Sequence, residues 1–453
     1  NPIIKYLILF FLMISNANAI NQTLTVTQMA KLTASDGGAG DEFGVSVAIS
    51  EGTAVVGAMY DDDNGFFSGS AYIYTRQADG GWLETSKLLA SDAAEGDYFG
   101  GSVAISGDTA IVGSDGDDNG NGNNSGSAYI YVRQVSGDWL QVNKLLPSDG
   151  VAYDGFGSSV AISEGTVIIG AVGDDDKGGS SGSTYVFTHQ IDGSWTQTDK
   201  LLASDGAAND YFGQAVGISG DNAIIGAFSD DNDNGDDSGS AYIYTRQVNG
   251  QWLQTNKLLA SDGVTRDEFG SEVAISNNQA IVGAAAHDGH KGSSYIYTRQ
   301  VDGSWLEASM LLPSDVEQGD VFGVSVAING DRAIVGADSG IGSAYLYVRQ
   351  ASNSWLLTST LLDSNGAFTG DKFGSSVAIS GNTVVIGSPY DDDNGNASGS
   401  SHVFSLNQGL STPLDSSIEI TDASSVGEYT FTVTLPAPIE VGQGVFLNFD
   451  NLE

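Results

Sequence analysis

An all-β fold, specifically a closed seven-bladed β-propeller of four-stranded antiparallel blades, is predicted by three features of the sequence. The dipeptide Phe-Gly recurs at intervals of 51 to 57 residues. Each interval holds four strand-like runs. The last interval lacks its fourth run, and a matching run stands at the N-terminal end. Periods of this length with four strands per unit are the mark of propeller blades.

The Phe-Gly pairs begin at Phe43, Phe99, Phe156, Phe212, Phe269, Phe322 and Phe373. In the first copy the runs are FGVSVAIS (Phe43 to Ser50), TAVVGA (Thr53 to Ala58), SAYIYTRQ (Ser70 to Gln77) and WLETSKLLA (Trp82 to Ala90), here called strands A, B, C and D. The links Glu51-Gly52 and Ala78 to Gly81 are short enough for hairpin turns and too short for crossover helices, so the sheet runs up and down. After the seventh Phe-Gly, strands A to C end at SSHVFS (Ser400 to Ser405) with no strand D. The segment TVTQMAKLTASD (Thr25 to Asp36) supplies it, with Lys31 and Asp36 where Lys87 and Asp92 stand. The N-terminal strand is therefore expected to complete the last blade, which removes two sheet edges that would invite aggregation.

Composition agrees with this fold and excludes several functions. Sixty-one glycines against seven prolines suit many tight turns. The chain carries 57 acidic and 16 basic side chains, a formal charge of −41, which disfavours nucleic acid and anionic membranes and favours cationic partners. There is no cysteine, so disulfides and thiolate chemistry are excluded. Residues 1–19 carry Lys5, an apolar run from Tyr6 to Ile14 and Ala17-Asn18-Ala19, the pattern of a secretory signal peptide. The run is too short to span a bilayer, so no integral membrane segment is expected in the mature chain, which would be secreted or displayed at the cell surface.

The repeated Phe-Gly, the Gly-Ala that follows at Gly57-Ala58, Gly170-Ala171 and Gly336-Ala337, and the GSAYIY strand resemble the FG-GAP repeats of integrin α-subunit propellers and their bacterial relatives. The resemblance covers about Thr25 to Asn407. It implies a propeller used for adhesion. In integrin-type repeats the calcium loop lies between the first two strands, whereas here that link is a tight turn such as Ser106-Gly107-Asp108, so those calcium sites do not carry over.

In an up-and-down blade the B–C and D–A loops emerge on one face, and both hold acid. An Asp stands two residues before every Phe (Asp41, Asp97, Asp154, Asp210, Asp267, Asp320 and Asp371), and the first B–C loop reads Asp61-Asp62-Asp63-Asn64-Gly65. Two B–C loops fit the first half of a calcium-loop pattern: Asp115, Asp117, Asn119, and then Asp230, Asn232, Asn234. Neither has the terminal Glu, since Gly126 and Ala241 take that place. Calcium held by these loops and plain solvated turns both remain open. The Asp before each Phe is expected to shape its turn by accepting backbone N–H groups.

The Trp at the start of strand D (Trp82, Trp139, Trp195, Trp252, Trp305, Trp355) and the tyrosines of strand C are expected to pack between blades rather than stack on sugars. Of four histidines, His287 and His290 share one loop, while His402 replaces a strand-C tyrosine and His189 a strand-C arginine. No nucleophile–base arrangement stands out, and the abundance of Asp makes any single carboxylate pair uninformative. Residues 408–417 read as a linker and 418–453 as the opening of a further β-rich, sandwich-like module, so the chain is expected to be part of a larger multidomain product. The leading expectation is a non-enzymatic extracellular binding or adhesion module that recognises a protein or glycan, with calcium ordering the acidic face. The alternative is an extracellular polysaccharide hydrolase or lyase using Asp residues at the propeller mouth.

Overall fold

The computed structural model describes residues 24–363, 370–408, 418–420 and 431–433. Seven four-stranded antiparallel sheets follow one another, each ordered A–B–C–D. Blade 1 comprises Val47–Ser50, Thr53–Ala58, Ser70–Arg76 and Trp82–Leu88. Blades 2 to 6 span 102–145, 156–201, 216–258, 269–311 and 325–361. In blade 7 the strands Ser376–Ser380, Thr383–Ser388 and Ser400–Gln408 are completed by Leu24–Leu32, which lies beside Ser400–Gln408. The expected closure by the N-terminal strand is therefore observed. No helix among the described residues is long and apolar enough to cross a membrane. The 1–19 segment, and the 408–417 segment beyond Gln408, fall outside the described residues. Within 418–453 two short strands, Ile418–Ile420 and Phe431–Val433, pair antiparallel.

Strand A is shorter than the sequence suggests, starting at Val47 in blade 1 rather than at Phe43. The Phe-Gly pair sits in a turn, with Glu42 at φ 53° and Gly44 at φ 97°. Only in blades 3 and 5 does the strand reach back to Phe156 and Phe269, each across a break in register.

The motif's two glycines have one physical cause. A Cβ on Gly57 would lie 1.9 Å from the carbonyl oxygen of Gly100 in the next blade, and one on Gly387 would lie 2.0 Å from that of Gly44. The backbone of each strand B thus touches the Phe-Gly turn of its neighbour. Beside this contact a serine at or just before the start of strand A donates across the blade boundary: Ser46 Oγ to Gly100 O at 2.7 Å, Ser102 Oγ to Gly157 O at 2.7 Å. Ser376 Oγ to Gly44 O, at 2.8 Å, makes the same bond between blades 7 and 1 and so seals the ring. Glu272 takes the serine's place in blade 5, where burial pushes its carboxyl up to about 8.

The core lies between blades. One cluster joins Val55 and Ile73 of blade 1 to Phe99, Val112 and Tyr129 of blade 2. Another joins Leu32, Val385 and Val403 of the closing blade to Val56 and Tyr72 of blade 1. Phe43 is fully buried, edge-on to Tyr72 and Tyr74 at 5.4 and 6.0 Å. Strand B is buried along its whole length, which is why it reads as an unbroken apolar run, while strand D alternates.

Candidate functional site: the acidic face

The B–C loop of each blade is tied to the D–A loop that enters the next. Tyr98 N donates to Phe67 O and Phe99 N to Ser68 O, both at 3.1 Å. The two acid-bearing loops therefore do share one face, and their carboxylates converge on a lysine. In blade 1, Lys87 Nζ lies 2.8 Å from Asp36, 2.9 Å from Asp61 and 2.6 Å from Asp63. Tyr72 donates its hydroxyl to Asp36 and Asp61 at 2.8 and 2.7 Å, under the same ammonium. Blades 2, 3 and 4 repeat this with Lys144, Lys200 and Lys257 and with Tyr129, Tyr185 and Tyr242. In the closing blade Lys31 takes the role, on Asp391 and Asp393. Burial works against these charges, yet the carboxylate contacts hold the Lys87 and Lys200 ammoniums above their ordinary range. In return Lys87 holds Asp36 below its own.

These clamps place the residues singled out in the sequence. Asp117 accepts from Ser127 Oγ at 2.6 Å and meets Lys144 at 2.9 Å; Asp230 accepts from Ser240 Oγ at 2.6 Å and meets Lys257 at 2.8 Å. Asn119 and Asn232 use their amide nitrogens to donate to Gly126 O and Gly239 O, both at 2.8 Å. Their side-chain oxygens accept from the backbone of Asn121 and Asn234. Asn234 donates to Ala260 O at 2.9 Å. Asp115 accepts backbone N–H groups of its own residue and of Gly116, and burial raises its carboxyl. A calcium ion needs several oxygens turned inward. Here a lysine ammonium occupies the convergence point and the asparagines turn donors toward the loop, so this donor set does not fit calcium.

The lysine and tyrosine of the clamp were missed as site residues, although the repeat carries a signal for them. Lysine stands five residues after the strand-D tryptophan in blades 1 to 4, whereas blades 5 and 6 have Met310 and Thr360. Those are the two blades whose B–C loops lose the acidic run, becoming His287 to Gly292 and Asp338 to Gly342. Lysine and acid disappear together because each is costly to bury without the other.

In six of the seven copies the Asp before Phe does shape its turn. Asp41, Asp97, Asp154, Asp210, Asp267 and Asp320 each accept the N–H of the residue three positions earlier, at 2.6 to 2.8 Å. Burial, together with neighbouring carboxylates, pushes Asp97, Asp154 and Asp210 up to about 6. The tryptophans pack as expected: Trp139, Trp252 and Trp305 are buried, and Arg133 and Arg246 lie over Trp139 and Trp252. His287 Nδ1 pairs with Asp267 at 3.0 Å. His402 is fully buried, and burial holds its imidazole well below the usual histidine range.

The face is not symmetric. In the B–C loop of blade 1, Phe66 and Phe67 stand where other blades have Asn123-Asn124, Gly179-Ser180, Asp236-Asp237 and Asn396-Ala397. Their rings lie 3.7 Å apart, with Phe66 58% exposed. Phe67 packs on Tyr60 at 4.8 Å and lies parallel to Tyr98 at 6.1 Å. Phe67 holds φ 60° and Tyr98 φ 54°, conformations unusual for bulky residues. Beside them Lys372 lies 4.8 Å from the ring centre of Tyr390, which donates to Glu42.

The FG-GAP repeat model matches seven times, over residues 26–74, 82–131, 139–187, 195–244, 252–297, 305–347 and 355–404. The fold, the Phe-Gly contact and these matches define an FG-GAP repeat β-propeller, and the chain belongs to that family. Each match begins in strand D of one blade and ends in strand C of the next. Sequence repeat and blade are thus out of step by one strand, which is what the N-terminal closure requires. Among solved structures, a protein from Lactobacillus plantarum is similar at 15% identity and a TM-score of 0.49, over 76% of this chain and 90% of that one. The search of curated proteins returned no match.

Proposed function

We propose that the protein is a non-enzymatic, extracellular binding module that engages a protein or glycan partner on its acidic face. The observation that carries this reading is the partly exposed aromatic stack of Phe66, Phe67, Tyr60 and Tyr98, present in one blade of seven-fold repeated scaffold. Stacked rings on a rigid loop offer a sugar face or an apolar side chain a contact that costs little ordering entropy. The raised Asp carboxyls near the mouth recur in three blades with the same turn amides, which suits a structural role better than an acid and base pair.

Glycan and surface-protein arrays probed with the wild type and with Phe66→Ala and Phe67→Asn test the reading. Asn already occupies the Phe67 position in blade 2, at Asn124 with φ 47°, so the loop should tolerate it. Saturable binding that weakens about tenfold in either variant, roughly 1.4 kcal/mol, is expected. Turnover of a polysaccharide abolished by one Asp substitution would overturn the proposal in favour of a hydrolase or lyase.

A further inference from the structure

The boundary between blades 6 and 7 departs from the repeat at two places, the end of strand D of blade 6 and strand C of blade 7. His402 stands where Tyr72, Tyr129, Tyr185, Tyr242, Tyr295 and Tyr345 stand in strand C of the other blades. Asp363 stands where the strand-D ends carry Ala90, Pro147, Ala203, Ala260 and Pro313. The fold brings these two exceptions together: Asp363 Oδ1 is 3.5 Å from His402 Nδ1, with side chains 5% and 0% exposed. The clamp aspartate of this blade, Asp391, is 4% exposed and joins them, one donor atom from each residue lying within 4.8 Å of the others. Ser400 Oγ bridges Asp391 at 2.8 Å and His402 Nε2 at 3.1 Å, and the Gln28 amide nitrogen lies 3.1 Å from His402 Nδ1, so a metal taking Nδ1 would displace that amide.

We propose that Asp363, Asp391 and His402 form a binding site for a divalent first-row transition metal, Zn²⁺ or Co²⁺ in kind. The argument is one of donor chemistry and spacing. The tyrosines replaced here are hydrogen-bond donors to the clamp carboxylates, whereas an imidazole and two carboxylates are a ligand set suited to such metals. Two ligand bonds of about 2.0–2.1 Å at a tetrahedral angle span about 3.4 Å between donor atoms, close to the 3.5 Å between Asp363 and His402. Lys31 contacts both Asp391 and Asp393, at 2.6 and 2.5 Å. It can keep exposed Asp393 as its partner while Asp391 turns to a metal. The imidazole separates this site from the all-oxygen calcium loops considered above, and its position between blades 6 and 7 is independent of the aromatic stack.

Titration of the full chain with Co²⁺, followed by visible absorption, tests the site. One equivalent per chain is expected to bind, to give d–d bands and to be displaced by Zn²⁺. His402→Tyr, which restores the residue of the other blades, should abolish this binding, and Asp363→Asn should weaken it at least tenfold. Both variants should melt within a few degrees of wild type in EDTA. If either fails to fold, zinc-edge X-ray absorption of the wild type reads the site directly, with one imidazole in the coordination shell. The proposal is overturned if wild type shows no saturable Co²⁺ binding, if His402→Tyr retains it, or if His287→Gln with His290→Gln abolishes it instead. A wild-type zinc spectrum with no imidazole, or with two, overturns it as well.

Discussion

Replacing Lys144 with Met removes the ammonium that bridges Asp92 at 2.7 Å and Asp117 at 2.9 Å, leaving the apolar stem in place. Asp117 is 3% exposed, so its charge cannot be recovered by water, while Asp92 is half exposed and can be. Breaking a buried pair costs about 3–5 kcal/mol. The lower end applies here, because Tyr129, Ser127 and Asn119 still donate to Asp117. With about 2 cal/mol/K of unfolding entropy per residue over roughly 380 residues, a loss of about 3 kcal/mol lowers Tm by about 4 °C. Differential scanning calorimetry in EDTA measures this, and the same scans in millimolar calcium, with magnesium as control, separate lysine from metal. Wild type should show no calcium-selective shift. Neither should the variant, since Asp117 stays buried and Asn119 still turns its amide nitrogen to the loop, whereas one calcium site filled to a hundred times its Kd would add about 3 °C. A wild type that gains this calcium-selective shift, or a variant whose Tm falls by less than about 1 °C, would refute the lysine clamp.

Two further outcomes are expected. Gly57→Ala should destabilise severely or prevent folding, since its Cβ would lie 1.9 Å from a backbone oxygen. Gly107→Ala, at φ 58° with open space around it, should cost only about 1 kcal/mol by denaturant unfolding, and equal losses at the two positions would remove the blade-contact explanation of the motif. Glu272 keeps its proton in the folded state up to about pH 8, while the unfolded chain releases it near 4.5. The unfolded state therefore binds fewer protons across that window, and stability falls as pH rises through it. Glu272→Gln should flatten the decline in Tm between pH 5 and pH 8 and raise Tm at the upper end. An unchanged profile would count against a buried, protonated Glu272.

The fold was legible because its determinants are local and repeated. Phe-Gly and Gly-Ala mark the one contact that every blade makes with its neighbour, and a missing strand at one end with a spare at the other reveals the closure. Strand B was readable to the residue as Thr53–Ala58, while strand A was read four residues too long because Phe43 and Gly44 belong to a turn of positive φ. The site was less legible. Acid in a loop shows in the sequence, but what neutralises it lies elsewhere: Lys87 is 24 to 51 residues from its three carboxylates, and its reach depends on the blade geometry. Asn119 looked like an oxygen ligand because sequence cannot tell which end of an amide faces inward. Its nitrogen does.

A ring of near-identical blades presents the same chemistry at every step, so recognition has to arise where blades differ. Five blades pair part of their acid with an internal lysine, which cross-links their loops in the same way at each step and leaves a net charge of −41 that is too evenly repeated to choose a partner by itself. Blades 5 and 6 lose the lysine and the acidic loop, and two further departures stand near the seam. Blade 7 carries the buried His402, set against Asp363 at the end of blade 6, and blade 1 carries Phe66 and Phe67. Between them Tyr390 of blade 7 donates to Glu42, the residue that enters the first Phe-Gly turn. The seam is also the one boundary where a blade is built from both ends of the repeat array, held by Ser376 to Gly44 and by Lys31 to Asp391. Closing the ring and carrying the aromatic stack and His402 therefore fall on the same pair of blades. A substitution that loosens the closure should reach the aromatic stack before it reaches the other five.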